Sequence, residues 1–343
     1  MRLVTFQTDT GGPRLGVLDG ETVIEPGPVL QAEQRLRSGQ TAARRAPEVA
    51  TEMVAFFASG DDGLAHARWA LNVAGDRSRR GDILTDEDGV PVVHAIDDVR
   101  LLAPVPRPRR VRDYLTYTQH ATGAGLAVPP AFAAMPICYK CNVETIVGPD
   151  EELLWPSYTD QLDFELEIGF FTAAGGRDLT PREAQRRIAG ITIFNDVSAR
   201  DIQGFEMSMH IGPSKGKDFC TAMGPCVLTM DEVDEWSIAM SARVNGEVWA
   251  SGTSKERQFS FAEVLAWASL DEEVYPGEFF AIGTVGGGCG LELDRWIHPG
   301  DVVELEASRV GVLRNTVGAK RIRNEDAGVA SYHGAPRFHV DHE

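Results

Sequence analysis

The chain has 343 residues, 43% of them hydrophobic, enough for two domains or one large domain with an accessory part. Its 51 acidic against 33 basic residues leave a formal charge of −18, which argues against nucleic acid as a partner but leaves room for an anionic small molecule held by local Arg and Lys. No run approaches 18 apolar residues, which argues against a membrane-spanning helix, and MRLVTFQTDT lacks the layout of a secretory signal, so a cytoplasmic location is expected.

Residues 1–24 hold short strand candidates broken by Gly11-Gly12-Pro13 and Asp19-Gly20, and Val49–Phe57 and Leu64–Val73 carry apolar residues at helical spacing. The Pro-rich, basic stretch 102–110 reads as an extended linker. It divides a small N-terminal α+β domain, residues 1–105, from a strand-dominated domain, residues 106–325. A partly ordered tail, 326–343, follows. In the second domain Thr180-Pro-Arg-Glu183 is a capping box that predicts a helix running to Gly190, followed by a strand at Ile191–Phe194. Ser198-Ala-Arg-Asp201 is a weaker box opening another helix, Asn245-Gly246 signals a tight hairpin, and Ser260-Phe-Ala-Glu263 caps a helix to about Ser269. Pro276-Gly277 and Pro299-Gly300-Asp301 precede strand candidates at Phe279–Ile282 and Val302–Leu305. The expected class is α+β, mainly β, with a closed or folded-over β core. Cys138, Cys141, Cys220, Cys226 and Cys289 have no disulfide-framework spacing, and the lone Cys138-x-x-Cys141 reads as free thiols.

The stretch LDFELEIGFF, residues 162–171, alternates apolar residues with Asp163, Glu165 and Glu167. Like charges about 6–7 Å apart along a strand suit a solvated face, where they repel weakly. They equally suit convergence on a hard cation, which prefers carboxylate oxygens. In Phe194-Asn-Asp196-Val-Ser-Ala-Arg200-Asp-Ile-Gln203 a strand feeds a helix, and Arg200 and Gln203 share a helix face able to grip a carboxylate or carbonyl. A turn residue and a surface cation explain the same letters. Gly212-Pro-Ser-Lys215-Gly-Lys217-Asp-Phe219 is a loop carrying two lysines, either solvated or placed to meet developing negative charge; it is not a P-loop, since Asp218 stands where the hydroxyl is needed. Asp113-Tyr-Leu-Thr-Tyr-Thr-Gln-His120 joins an acid to a His at a loop-to-helix junction, a structural His or a general base. Ile282-Gly-Thr284-Val-Gly-Gly-Gly-Cys-Gly290-Leu-Glu292 lets backbone approach a ligand closely but lacks a dinucleotide fingerprint.

Taken in order, D-Y-x-x-x-x-Q-H-A-T, L-D-F-E-L-E, N-D-x-S-A-R-D-I-Q, G-K-D-F and G-T-x-x-G resemble the fumarylacetoacetate hydrolase superfamily, from about Asp113 to Val317. The resemblance implies a mixed β-roll catalytic domain, a divalent cation (Mg²⁺, or Ca²⁺ or Mn²⁺), and usually a homodimer. By position it implies Glu165, Glu167 and Asp196 as metal ligands, with Asp113 as a fourth and Asp163 as a spectator. It implies His120 as the base that activates water, oriented by Glu292, and Lys217 meeting the oxyanion. Arg200, Gln203 and Lys217 would bind substrate oxygens, Thr284 a carboxylate end, and Tyr139 would line the pocket. Two departures stand out. Short members place a Glu three residues after the His, where this chain has Gly123, and the loop from Gln203 to Lys217 is one residue longer than in the long hydrolases and contains His210.

The expected activity is hydrolytic cleavage of a C–C bond in a 1,3-dicarbonyl acid, acylpyruvate-like or fumarylacetoacetate-like. The alternative on the same scaffold is decarboxylation or isomerisation of a β-keto or enol acid. A non-catalytic, cation-binding β domain is a third class. Arg200, Gln203, Lys217 and His120 argue against it, because a purely structural Ca²⁺ site has no use for cations around it.

Overall fold

The computed structural model describes residues 1–38, 49–126, 128–324, 326–329, 332–338 and 340. The class is α+β and mainly β. One large mixed sheet runs in the order Val93–Ala95, Thr22–Ile24, Arg14–Asp19, Arg2–Gln7, Thr221–Thr229, Ile188–Asn195, Leu166–Thr172, Phe279–Ala281, Val111–Leu115, Ile137–Lys140. A second sheet runs Glu247–Thr253, Ala239–Val244, Val302–Ala307, Gly311–Lys320, Glu152–Trp155. The first strand pairs with Thr221–Thr229 in the register Arg2↔Leu228, so hydrogen bonding crosses the expected linker between the N-terminal residues and the rest.

Each face of the large sheet is covered, and this places the core. On one side Ile168, Phe170, Ile191 and Ile193 pack with Leu305 and Leu313 of the second sheet and with Phe261 and Leu265 of the helix Phe261–Ala268. On the other, Phe171, Phe194 and Phe279 join Phe56 and Phe57 and the helix Gly60–Arg79. The strand Leu166–Thr172 is therefore buried along its whole length, where its alternation suggested one buried face. A solvated acid face is thereby excluded.

Local signals fared according to how local their physics was. Asn245 and Gly246 both adopt positive φ, 52° and 80°, and form the expected hairpin. Both capping boxes, at Thr180 and Ser260, are closed. The first helix is shorter than expected, Pro181–Gln185, because Ile188 already belongs to the strand Ile188–Asn195, whose apolar residues gain more by entering the sheet. The box at Ser198 does not form: the helix is Arg200–Met207, and the Ser198 hydroxyl instead accepts from Lys217 Nζ at 2.6 Å. Pro26–Ser38 is a helix that no expected element covers. Among the described residues the five cysteines are free, and no helix is long and apolar enough to cross a membrane.

Candidate metal centre and active site

Three sheet features bring the acids together. Asp113 sits opposite Ala281 on the strand Val111–Leu115. Glu167 pairs with Phe194 and Leu166 with Asn195, so Asp196, one residue beyond its strand, faces the start of Leu166–Thr172. Glu165 is held by its backbone, whose N–H donates to Asn195 Oδ1 at 3.0 Å, and by a bridge to Cys289. Asp113, Glu165, Glu167 and Asp196 are only 6%, 3%, 1% and 0% exposed. Oxygens of Asp113, Glu165 and Glu167 lie within 4.8 Å of one another.

Burying acids together without partners is costly, and the structure shows where partners are wanting. Asp113 Oδ1, Glu167 Oε2 and Asp196 Oδ1 have no protein hydrogen-bond donor. Burial, then the charges of Glu167 and Asp196, pushes the Asp113 carboxyl well up; burial, then Glu165 and Asp196, does the same to Glu167. Asp196 is raised by burial against the pull of Lys217. Buried carboxylate oxygens of this kind, free of donors and repelling one another, are the donor set a hard divalent cation takes.

Their other oxygens are held in place. Lys217 Nζ, fully buried, lies 2.6 Å from Glu165 Oε2 and 2.5 Å from Asp196 Oδ2. Burial opposes the ammonium, but Asp196 and Glu165 outweigh it and keep the lysine charged. Burial likewise opposes ionisation of Glu165, yet Lys217 and Arg200 hold its carboxyl below the ordinary range. Thr284 Oγ1 donates to Glu167 Oε1 at 2.8 Å, and the Tyr139 hydroxyl donates to Asp196 Oδ2 at 2.6 Å. The two residues expected to touch substrate thus also orient acids.

His120 lies on the short helix Thr118–Gly123. Its Nδ1 is 2.7 Å from Glu292 Oε1, and a carboxylate only accepts, so Nδ1 carries a proton; in the neutral ring the lone pair then sits on Nε2. Nε2 is 3.7 Å from Glu165 Oε1. Glu292 is fixed in turn by the Gly287 N–H on Oε2 at 2.8 Å and by Cys289 Sγ at 3.3 Å from Oε1. A Cβ at Gly123 would lie 2.4 Å from Glu292 Oε2. The carboxylate thus takes up the space that a side chain at 123 would need.

Arg200 donates from Nε to Asp163 Oδ2 at 2.8 Å and from NH1 to Gln203 Oε1 at 3.0 Å, and its NH2 is 2.8 Å from Glu165 Oε1. Asp163 was expected to be a spectator; it is a buried anchor. Its oxygens also accept the N–H groups of Phe164, Gly290 and Leu291, at 2.8, 2.7 and 3.0 Å. Its place in the alternation marked it as facing the same way as Glu165, the one available signal. These side chains open on a cavity of about 610 Å³ whose wall includes Asp113, His120, Arg200, Gln203, Lys217 and Thr284. Phe338, from the tail, also lines it, with no signal in the sequence.

Residues 109–318 match the family model for the fumarylacetoacetate (FAA) hydrolase C-terminal domain. The chain is 30% identical over 274 residues to the mitochondrial oxaloacetate tautomerase FAHD2A of Homo sapiens, covering 79% of this chain and 81% of that protein. It is 27% identical over 311 residues to the oxaloacetate tautomerase YisK of Bacillus subtilis, covering 88% and 95%. Among solved structures, a fumarylacetoacetate hydrolase of Exiguobacterium antarcticum superposes with a TM-score of 0.66 at 24% identity, over 93% of this chain and 100% of that one. A maleylpyruvate hydrolase of Sphingobium sp. SYK-6, in complex with manganese(II) and pyruvate, superposes with a TM-score of 0.64 at 19% identity, over 94% and 100%. Both likenesses are of fold.

Proposed function

The chain belongs to the fumarylacetoacetate hydrolase family, and from that premise we propose that it is a divalent-cation-dependent enzyme that moves a proton on a small 2-oxo acid, converting enol to keto form. The observation that carries this reading is the His120–Glu292 pair, 2.7 Å apart, beside carboxylates whose inner oxygens have no donor. Asp113, Glu165, Glu167 and Asp196 would hold the cation, Mg²⁺ or Mn²⁺ by their all-oxygen character. When bound it supplies Lewis-acid stabilisation of negative charge on the adjacent substrate oxygens.

The chain's own groups do the rest. Arg200 with Gln203, and Lys217, offer positive charge and donors to the carboxylate and carbonyl oxygens of the acid. In the enol-to-keto direction an O–H bond breaks and a C–H bond forms on the neighbouring carbon. His120 Nε2 can accept the proton from the first atom and return it to the second, while Glu292 steadies the imidazolium that exists between the two transfers. The N–H of Gly287 keeps Glu292 in the acceptor role. The similarity to oxaloacetate tautomerases over most of the chain supports proton transfer as the reaction.

Hydrolysis of a C–C bond in an acylpyruvate-like acid is the second reading, because the same Nε2 lone pair suits a water molecule and a maleylpyruvate hydrolase shares the fold. The two separate cleanly. With Mn²⁺ or Mg²⁺, loss of the enol's ultraviolet absorbance on oxaloacetate with no change of mass supports tautomerisation. Release of pyruvate from an acylpyruvate supports hydrolysis. A protein inert to both, with its metal bound, defeats the proposal.

A further inference from the structure

The family match ends at residue 318, but the chain after it returns to the cavity. The Tyr332 hydroxyl donates to Tyr158 O at 3.0 Å, and the Arg323 guanidinium donates to Tyr332 O at 3.3 and 3.4 Å. Phe338 is then gripped by the buried amide of Gln161 in the manner of a strand partner: Gln161 Nε2 donates to Phe338 O at 3.0 Å, and Phe338 N donates to Gln161 Oε1 at 2.7 Å. Gln161 O also accepts the N–H of Arg200 at 2.9 Å, so one residue seats both the tail and the cation of the site. The ring of Phe338 lies over Gly204, where a Cβ would come within 2.2 Å of Cδ2. Any larger residue on that face of the helix Arg200–Met207 would push the ring away. Phe338 and Val340 pack around Ala124 and Leu291, the first closing the His120 helix and the second adjoining Glu292.

We propose that Phe338 is a specificity-determining residue: it forms an apolar wall at the outer end of the cavity, and the enzyme prefers 2-oxo acids long enough to place an alkyl or aryl group there, a four-carbon acid such as oxaloacetate leaving that end unfilled. This rests on the reading of the inner end as a 2-oxo-acid site. The inner acids are buried, whereas Leu126 and Ile137, which share the cavity wall with Phe338 and Met207, are 37% and 41% exposed and so mark its rim. A volume of about 610 Å³ is far more than a four-carbon acid fills and falls in the range of larger ligands. An apolar group gains burial against Leu126, Ile137, Met207 and Phe338, whereas a second carboxylate would lose water on that wall and find polar side chains only on the opposite lip, at Ser208 and His210.

The test is calorimetric binding to the Mn²⁺-loaded full-length protein of two ligands, pyruvate and a 4-aryl-2,4-dioxobutanoate, in wild type, F338A, F338L and G204A. F338A is expected to weaken the aryl ligand roughly tenfold and pyruvate less than about twofold. F338L should recover most of the loss, and G204A, which displaces the ring without removing it, should reproduce F338A. Equal weakening of both ligands, or no change in either, overturns the wall. A wild-type protein that binds neither ligand overturns the 2-oxo-acid reading and the wall with it, and is told apart from the first failure because it appears before any substitution is made.

Discussion

Asp163 Oδ2 accepts a hydrogen bond from Arg200 Nε at 2.8 Å, and both side chains are buried. Through this contact the short strand Leu162–Asp163, the helix Arg200–Met207 and the short helix Gly290–Leu293 bearing Glu292 share one fastening, since the same carboxylate accepts from Gly290 N and Leu291 N. Burial pushes the Asp163 carboxyl upward, and Arg200 and the backbone donors oppose that. Substituting D163N places an amide NH₂ against donors and leaves a buried guanidinium with Glu165 as its remaining ion-pair partner. The expected cost is about 3–5 kcal/mol of unfolding free energy, read from the urea midpoint, together with loss of turnover. An unchanged midpoint would show that Asp163 is, after all, a bystander.

The His120–Glu292 pair predicts a division between chemistry and metal binding. H120A should lower kcat by roughly 10²–10⁴-fold, while Mn²⁺ affinity measured by calorimetry stays near wild type. G123A approaches the same pair from outside, because its Cβ would crowd Glu292 Oε2. It should lower kcat in the same direction without changing the metal. Full activity in G123A would mean that the position of Glu292 is not critical.

Much of this site could be read in the letters because its residues sit at fixed offsets within single elements. Glu165 immediately precedes the strand Leu166–Thr172 that carries Glu167, two positions on, Arg200 and Gln203 are one helical turn apart, and Asp196 directly follows a strand. What could not be read depends on contacts made far along the chain. Asp163 is separated by more than 120 residues from the amides it holds, Gly290 and Leu291. Phe338 reaches Gln161 across 177 positions, from a segment without periodicity. The early end of the helix at Gln185 and the failed cap at Ser198 have the same origin: the sheet claims Ile188, and Lys217 claims the Ser198 hydroxyl. Tertiary partners override local preference where the buried polar groups are concentrated.

Outside the site, Glu33 on the helix Pro26–Ser38 predicts an acid-sensitive joint. It pairs with Arg77 at 2.7 Å on the helix Gly60–Arg79 and with Arg37 at 2.5 Å on its own helix. Burial alone would raise its carboxyl, but Arg77 and Arg37 outweigh this and hold it below the usual range. A carboxylate depressed on folding contributes stability above its unfolded pKa of about 4.3 and loses it as pH falls through the folded value. E33Q should therefore lower stability at neutral pH and flatten the loss between about pH 5 and pH 3, measured by denaturant titration across that range. A variant with the wild-type acid limb would place the sensitivity elsewhere.

The donor-free oxygens of Asp113, Glu167 and Asp196 make a prediction that needs no substrate. Carboxyls raised by burial and by one another destabilise the fold as they ionise with rising pH, and a divalent cation relieves that cost by binding the folded form alone. Mn²⁺ or Mg²⁺ at about 100 times its Kd should thus stabilise the protein by about 2.7 kcal/mol, seen as a rise in melting temperature that EDTA reverses. E167Q should do two opposite things. It removes one repelling charge, so the EDTA-treated variant should melt above EDTA-treated wild type, and it removes one ligand, so the rise on adding metal should shrink or vanish. Both signs follow only if Glu167 faces the other acids across a shared cation. A variant that melts lower without metal, yet keeps the full metal response, would place the ion elsewhere and leave Glu167 as an ordinary partner of Thr284.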